Sequence, residues 1–128
     1  MSALNIAIVD DSNYSRKLIS EILTETEGFD VIGEAANAPE AINFVKSNIV
    51  DILIVDIVMP EMSGLELTRA LLSIRKNLHI ILISSLSGEN IVIDAIEAGA
   101  SDFLPKPIVS DDLKSSLEKI KNSITLES

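Results

Sequence analysis

The sequence predicts an α/β fold, a doubly wound parallel sheet of five strands covered by helices on both faces. Three observations predict it. Short segments such as Ile52–Val55 and Ile80–Ile83 are apolar at every position, without the alternation of a half-exposed strand, so both of their faces must be covered. Such segments alternate strictly with stretches whose apolar residues recur at helical spacing, and the links between them are short. The chain of 128 residues suits one domain, and 47% hydrophobic residues with only 3% aromatics means that Ile, Leu, Val and Ala fill the core.

Leu4 to Val9 forms the first strand and stops at Asp10-Asp11. Ser12 caps a helix carrying Leu18, Ile19, Ile22 and Leu23, and Gly28 is expected to end it. Phe29 to Ile32 reads as the second strand. Asn37, with Pro39 just inside and Glu40 three residues on, opens a second helix with Ala41, Ile42 and Val45 inward. Ile52 to Val55 is the third strand, and the capping-box pair Ser63 and Glu66 starts a third helix bearing Leu67, Ala70, Leu71 and Ile74. Met59-Pro60 and Gly64 read mainly as turn chemistry.

Ile80 to Ile83 is the fourth strand. Ser87 is expected to start a fourth helix that Gly99 closes. Ile91, Val92, Ile93, Ala95 and Ile96 spread over more than one face of it, which leaves two readings open: an exposed binding surface, or burial under neighbouring loops. Phe103 and Leu104 make a short fifth strand. Ser110, Asp111 and Asp112 suit the positive end of a last helix, whose inner face is Leu113, Leu117, Ile120 and Ile124. One domain over residues 1–121 is expected, with residues 122–128 as a polar, fraying C-terminal tail.

Composition excludes several classes. Twenty acids against ten bases give a net charge of −10, which disfavours nucleic acid and anionic membranes as partners. There is no cysteine, so disulfides, Cys zinc sites and thiol nucleophiles are ruled out. No apolar run approaches the ~18 residues of a membrane span. Met1 to Val9 is too short and lacks the basic flank of a signal peptide, so a cytoplasmic location is the default expectation. Neither a P-loop nor a Gly-rich dinucleotide fingerprint is present.

In doubly wound sheets the site lies beyond the carboxyl ends of the strands. Asp10 and Asp11 follow strand one, Asp56 follows strand three, Ser84 and Ser85 follow strand four, and Lys106-Pro107 follows strand five. Glu34 and Ala35, at the end of strand two, are expected at the sheet edge. Two carboxylates ~4 Å apart repel by about 4 kcal/mol at an effective dielectric of 20, so three of them require cations. Lys106 supplies one charge, and hard oxygen ligands suit Mg²⁺ for more. Asp56 is then a plausible nucleophile toward phosphorus. Taken singly, Asp10 and Asp11 could equally be solvated loop acids and Asp56 an ordinary cap; the register with Ser84 and Lys106 argues for a site. His79, the only histidine, reads as a surface residue at a strand start.

The motifs VDDS (residues 9–12), VDIVMPEMSG (55–64), ISS (83–85) and KP (106–107) stand in the order and spacing of a known family. Over essentially its whole length the sequence resembles the receiver domain of bacterial two-component response regulators. The resemblance implies a flavodoxin-like (βα)5 fold with strand order 2-1-3-4-5. It implies that Asp56 accepts a phosphoryl group from a histidine kinase, that Asp11 binds Mg²⁺ directly and Asp10 mainly through water, and that the Val58 carbonyl is a further ligand. Ser84 would hydrogen-bond the phosphoryl group, Phe103 would fill the aromatic switch position, and Lys106 would pair with Asp56 and then with the phosphate. A cis Lys106–Pro107 bond is also implied.

Departures from the commonest pattern are Ser84 where Thr is frequent and Phe103 where Tyr is common. Phe103 lacks the phenolic hydroxyl and is expected to prefer burial, though it reads equally well as simple packing. Val58 and Leu86 are both apolar and flank the phosphorylation position, which implies a phosphate lifetime different from that of relatives with polar residues there. The stretches GEAANAPEAI (33–42) and EAGASDFLPKP (97–107) look like chemotaxis regulators, including the receiver of the methylesterase.

On this resemblance the protein is a non-enzymatic switch. Its fourth helix, fifth strand and fifth helix form the face read by a downstream protein, as a monomer or an activation-dependent dimer. A phosphorylation-independent interaction module on the same fold is the alternative, disfavoured because no site residue is missing. A phosphatase with an Asp nucleophile is disfavoured because such enzymes place a second Asp where this chain has Val58.

Overall fold

The computed structural model describes residues 3–127. Residues 1, 2 and 128, the outer ends of the N-terminal segment and of the C-terminal tail, lie outside the described residues. Five strands alternate with five helices: β1 (Leu4–Val9), α1 (Asn13–Thr24), β2 (Phe29–Ala35), α2 (Ala38–Ser47), β3 (Ile52–Asp56), α3 (Gly64–Ile74), β4 (His79–Ser84), α4 (Glu89–Ala98), β5 (Asp102–Pro105) and α5 (Ser110–Glu127). All pairings are parallel, in the order β2-β1-β3-β4-β5.

Successive strand residues point to opposite faces, and each face has its own core. Ala7, Val9, Leu53, Val55, Ile80 and Leu82 pack on one side with Ala41 and Val45 of α2, Leu67 and Leu71 of α3, and Ala95 of α4. Ile6, Ile8, Ile52, Ile54, Ile81 and Ile83 pack on the other with Ile19 and Leu23 of α1 and Leu113 and Leu117 of α5. The central strands are apolar throughout because both of their faces lie under helices.

Three helix starts follow the sequence reading. The side chains of Ser12, Asn37 and Ser63 accept the backbone N–H of Ser15, Glu40 and Glu66. Gly99, at φ +103, closes α4 through bonds from its own N–H to Ile96 and from the Ala100 N–H to Ala95.

Four expectations need correction. Gly28 does not end α1: the helix stops at Thr24 with Glu25 as cap, and Gly28 takes a positive φ in the turn beyond, where its carbonyl accepts the Leu4 N–H. Strand β2 runs on to Ala35, with a register shift opposite Ile6 and Ala7 that leaves Ile32 outside the pairing. Ser87 does not cap α4, which begins after Gly88 without a side-chain cap. Lastly, α5 continues to Glu127, with Ile124 packed on the core, where a fraying tail from residue 122 was expected; apolar spacing outweighs local polarity there.

The chain runs outward from β1 to β2 and returns to the far side of β1 as β3. This reversal opens a crevice at the carboxyl ends of β1 and β3, where Asp10 and Asp56 stand. Gly64 lets α3 start hard against that edge. A Cβ there would meet the Asp56 carbonyl oxygen at 2.3 Å, and the Gly64 N–H donates to the Ile57 carbonyl at 2.8 Å. Gly64 is thus a close-approach residue rather than only turn chemistry. Gly64→Ala is expected to cost about 1–3 kcal/mol of folding stability, seen as a lower urea midpoint; an unchanged midpoint would show that the loop yields without cost.

Candidate functional site

Each strand end delivers its polar residue because the apolar run stops there. Asp10 is fully buried beyond β1, and Asp56 closes β3 at 5% exposure. Lys106 reaches the pocket from beyond β5, its backbone N–H donating to the Ser84 carbonyl at 2.8 Å. Its ammonium lies 2.9 Å from Asp10 Oδ2, 3.2 Å from Asp56 Oδ2 and 3.5 Å from Ser15 Oγ. The pairing with Asp56 was expected; the shorter contact to Asp10 was not. Asp11 is exposed at the rim, and oxygens of Asp10, Asp11 and Asp56 come within 4.8 Å of one another.

The remaining oxygens are partly held by backbone. The Ser12 N–H donates to Asp10 Oδ1 at 2.9 Å, and the Val58 N–H donates to Asp56 Oδ1 at 3.3 Å. Val58 is itself exposed, at the mouth, as is Leu86. Glu61, the one non-glycine residue with positive φ among the described residues, sits in the β3–α3 loop, where the Met62 N–H reaches back to the Pro60 carbonyl. The Lys106–Pro107 bond is cis.

Ser84 is fully buried, and its hydroxyl accepts the Leu86 N–H at 3.0 Å; no hydrogen bond joins it to Asp56 among the described residues. As an acceptor in that bond, the hydroxyl keeps its proton for donation. Phe103 is half-buried against the core cluster that holds Ala95, a cluster on which Ile91 and Ala100 also pack. His79 opens β4, half-buried, with Nδ1 2.9 Å from Ser101 Oγ.

Burial raises the Asp56 carboxyl above its ordinary value, and the negative charge of Asp10 adds to this; Lys106 and the Val58 N–H pull it back only in part. Burial alone would lower the Lys106 ammonium, but Asp10 and Asp56 outweigh it and hold it above the usual lysine value. The pocket is therefore an acid-rich cavity with one fixed cation. Three carboxylates supplying hard oxygens at close range fit a divalent ion such as Mg²⁺.

Two residues of the site escaped the sequence reading. Ser15 sits beside the Lys106 ammonium. Arg16 donates from Nη1 to the Asp10 carbonyl, from Nη2 to Asn13 Oδ1, and from Nε to Glu34 Oε1 at 3.0 Å. The available signal was an arginine one helical turn past the cap, facing an acid at the end of the neighbouring edge strand.

Comparison with known proteins agrees with this geometry. The family model for the response regulator receiver domain matches residues 6–118. The chain is 38% identical over 120 residues to chemotaxis protein CheY of Bacillus subtilis, covering 94% of this chain and 99% of that protein. It is 35% identical over 126 residues to the protein-glutamate methylesterase/protein-glutamine glutaminase of a Nocardioides species, covering 97% of this chain but 34% of that protein. Among solved structures, the CheX–CheY–BeF3–Mg²⁺ complex from Borrelia burgdorferi superposes with a TM-score of 0.87 at 33% identity, covering 93% of this chain and 90% of that one. The chain belongs to the response regulator receiver family, the receiver domains of two-component signalling regulators. No helix among the described residues is long and apolar enough to cross a membrane.

A stability prediction follows from the raised Asp56 carboxyl. The folded state holds that proton more tightly than the unfolded chain does. The charged form therefore costs stability, and the cost grows as pH rises from the ordinary aspartate range through the raised value. Without divalent metal, Asp56→Asn is expected to raise the melting temperature by a few degrees at neutral pH, with the difference shrinking in acid. An Asn variant that melts below wild type at neutral pH would show the Lys106 pairing outweighing burial.

Proposed function

We propose that the protein is a phosphorylation-controlled switch in which Asp56 accepts a phosphoryl group from a histidine kinase. The observation that carries the reading is the buried Asp56 carboxylate, grouped with the Asp10 and Asp11 oxygens and paired with Lys106 at 3.2 Å. Asp10, Asp11, Asp56 and the Val58 carbonyl would hold Mg²⁺, which when bound supplies charge neutralisation between the carboxylates and the incoming phosphoryl oxygens. An Asp56 oxygen attacks phosphorus, the phosphorus–nitrogen bond of the donor phosphohistidine breaks, and an acyl phosphate is left on Asp56. The Lys106 ammonium, released from Asp56, binds one phosphoryl oxygen. The Ser84 hydroxyl donates its proton toward another.

The same contacts give the switch its direction. Phosphorylation adds charge and strong acceptors. Ser84 donates its proton to them, and because its oxygen holds the Leu86 N–H, the loop beyond moves with it. That loop leads into α4, and Phe103 packs in the core cluster shared with α4. The face formed by α4, β5 and α5 is the surface we assign to the downstream partner; on α4, Ile93 and Ile96 are 46% and 66% exposed. A chemotaxis-type output, free-standing or within a methylesterase, fits the relatives. The domain is assigned to β1 through α5, because Ile124 beyond residue 121 packs on the same core.

Incubation with acetyl phosphate and Mg²⁺ is expected to give one phosphoryl adduct per chain by intact-mass spectrometry. The adduct should be lost with a chelator and in Asp56→Asn. Stoichiometric labelling that survives that substitution would overturn the assignment. Substituting Val58→Asn with Leu86→Glu, at the two apolar residues of the mouth, is expected to change the dephosphorylation rate several-fold. An unchanged rate removes them from any control of water access.

A further inference from the structure

We propose that Arg16 is a positioning residue for divalent-cation binding. It fixes the peptide that joins Asp10 to Asp11 and thereby aims both carboxylates into the pocket. The inference rests on the metal reading above and concerns a residue which that reading leaves without a role.

Each nitrogen of the Arg16 guanidinium donates a hydrogen bond. Nη1 donates to the Asp10 carbonyl, Nη2 to Asn13 Oδ1, and Nε to Glu34 Oε1 at 3.0 Å. The side chain is 14% exposed, against 43% for Glu34. A planar fork bonded through all three nitrogens, one of them to backbone, has less freedom than a lysine ammonium. Residue 10 is then held on all sides. Its N–H donates to the Ala35 carbonyl at 3.0 Å, its carboxylate takes Lys106 and the Ser12 N–H, and its carbonyl takes Arg16.

Asp11 is placed differently. It is exposed, and its carboxylate accepts no hydrogen bond among the described residues. What directs it is the peptide plane that precedes it, and the carbonyl of that plane is the one Arg16 binds. The anchor at the other end is Glu34, near the end of β2, one of the two edge strands. A link from the sheet edge to the pocket thus runs Glu34–Arg16–Asp10.

The sign of the effect separates positioning from charge. A cation beside an acidic pocket repels Mg²⁺, so as charge alone Arg16 weakens metal binding and its removal tightens it. As a positioning group it strengthens binding, and its removal weakens it. Arg16→Lys keeps the charge, but an ammonium cannot reproduce the flat, three-sided grip.

The experiment is a Mg²⁺ titration of the full chain without phosphodonor, by calorimetry or by amide shifts of residues 10–12, beside a thermal melt. Arg16→Lys and Arg16→Ala are both expected to weaken Mg²⁺ binding about tenfold, the low end for losing an outer partner of a metal ligand, at a near-wild-type melting temperature. Glu34→Gln should give a smaller loss of the same sign. The proposal is overturned if Arg16→Lys binds as wild type, or if Arg16→Ala binds more tightly. Should Arg16→Ala not fold, the Lys and Gln variants decide alone. Wild-type protein that binds no Mg²⁺ would sink the metal reading itself, whereas normal wild-type binding with unaltered variants sinks only the role of Arg16.

Discussion

Two aspartates that are almost out of water share one ammonium, and much of the molecule is arranged around that arrangement. At an effective dielectric of 20, two carboxylates ~4 Å apart repel by about 4 kcal/mol, comparable to a sizeable part of a small domain's net stability. Lys106, 2.9 Å from one and 3.2 Å from the other, turns that repulsion into a pair of attractions. It does so from the far end of the chain. The sheet must be closed in the order β2-β1-β3-β4-β5 before residues 10, 56 and 106 can meet. Tertiary structure therefore precedes the site, and the site draws on stability gained in the two aliphatic cores.

The compensation is incomplete by design of the residues present. With Asp11 at the rim, three carboxylates face one fixed cation, and the Asp56 carboxyl sits above its ordinary value because burial and Asp10 together outweigh Lys106. An under-neutralised cavity made of hard oxygens has a physical preference for a small divalent ion. It also explains why Lys106 divides itself between two partners rather than sealing Asp56 in a single tight pair. A lysine bound only to Asp56 would mask the oxygen that the proposed chemistry needs.

Much of this was legible in the sequence because the polar residues interrupt apolar runs. Asp10, Asp56, Ser84 and Lys106 each mark the end of a strand segment, and the parallel topology converts four strand ends into one edge. What was not legible lies where local chemistry and tertiary packing disagree. Ser87 looks like a helix cap, yet α4 starts after Gly88, whose φ of +117 few other residues could take. Residues 122–127 are polar enough to look frayed, yet the helix continues to Glu127, held by the inner stripe that the sequence itself extends to Ile124. Lys106 reads as the partner of Asp56, but which carboxylate it approaches more closely is set by side-chain reach across the sheet, which spacing does not encode. Nothing local marks Arg16, since its acceptors come from the turn after β1, from α1 and from β2 together.

The contrast among helix starts bears on how a charge change at Asp56 could travel. Helices α1, α2 and α3 each open with a side chain satisfying a backbone N–H, whereas α4 opens without one. An N-cap contributes on the order of 1 kcal/mol, so α4 forgoes a stabilisation that the other three have. Its anchoring is light as well: Ala95 and Ala98 are its fully buried residues, while the loop from Ser85 to Gly88 is exposed throughout. The bond from the Leu86 N–H to the Ser84 hydroxyl ties that loop to the pocket. On the proposed reading, a new acceptor at Asp56 draws on the Ser84 proton, and the Leu86 bond to the same oxygen carries that pull to the point where this uncapped helix begins. A few kcal/mol there can shift a population, which a well-capped, deeply packed helix would resist.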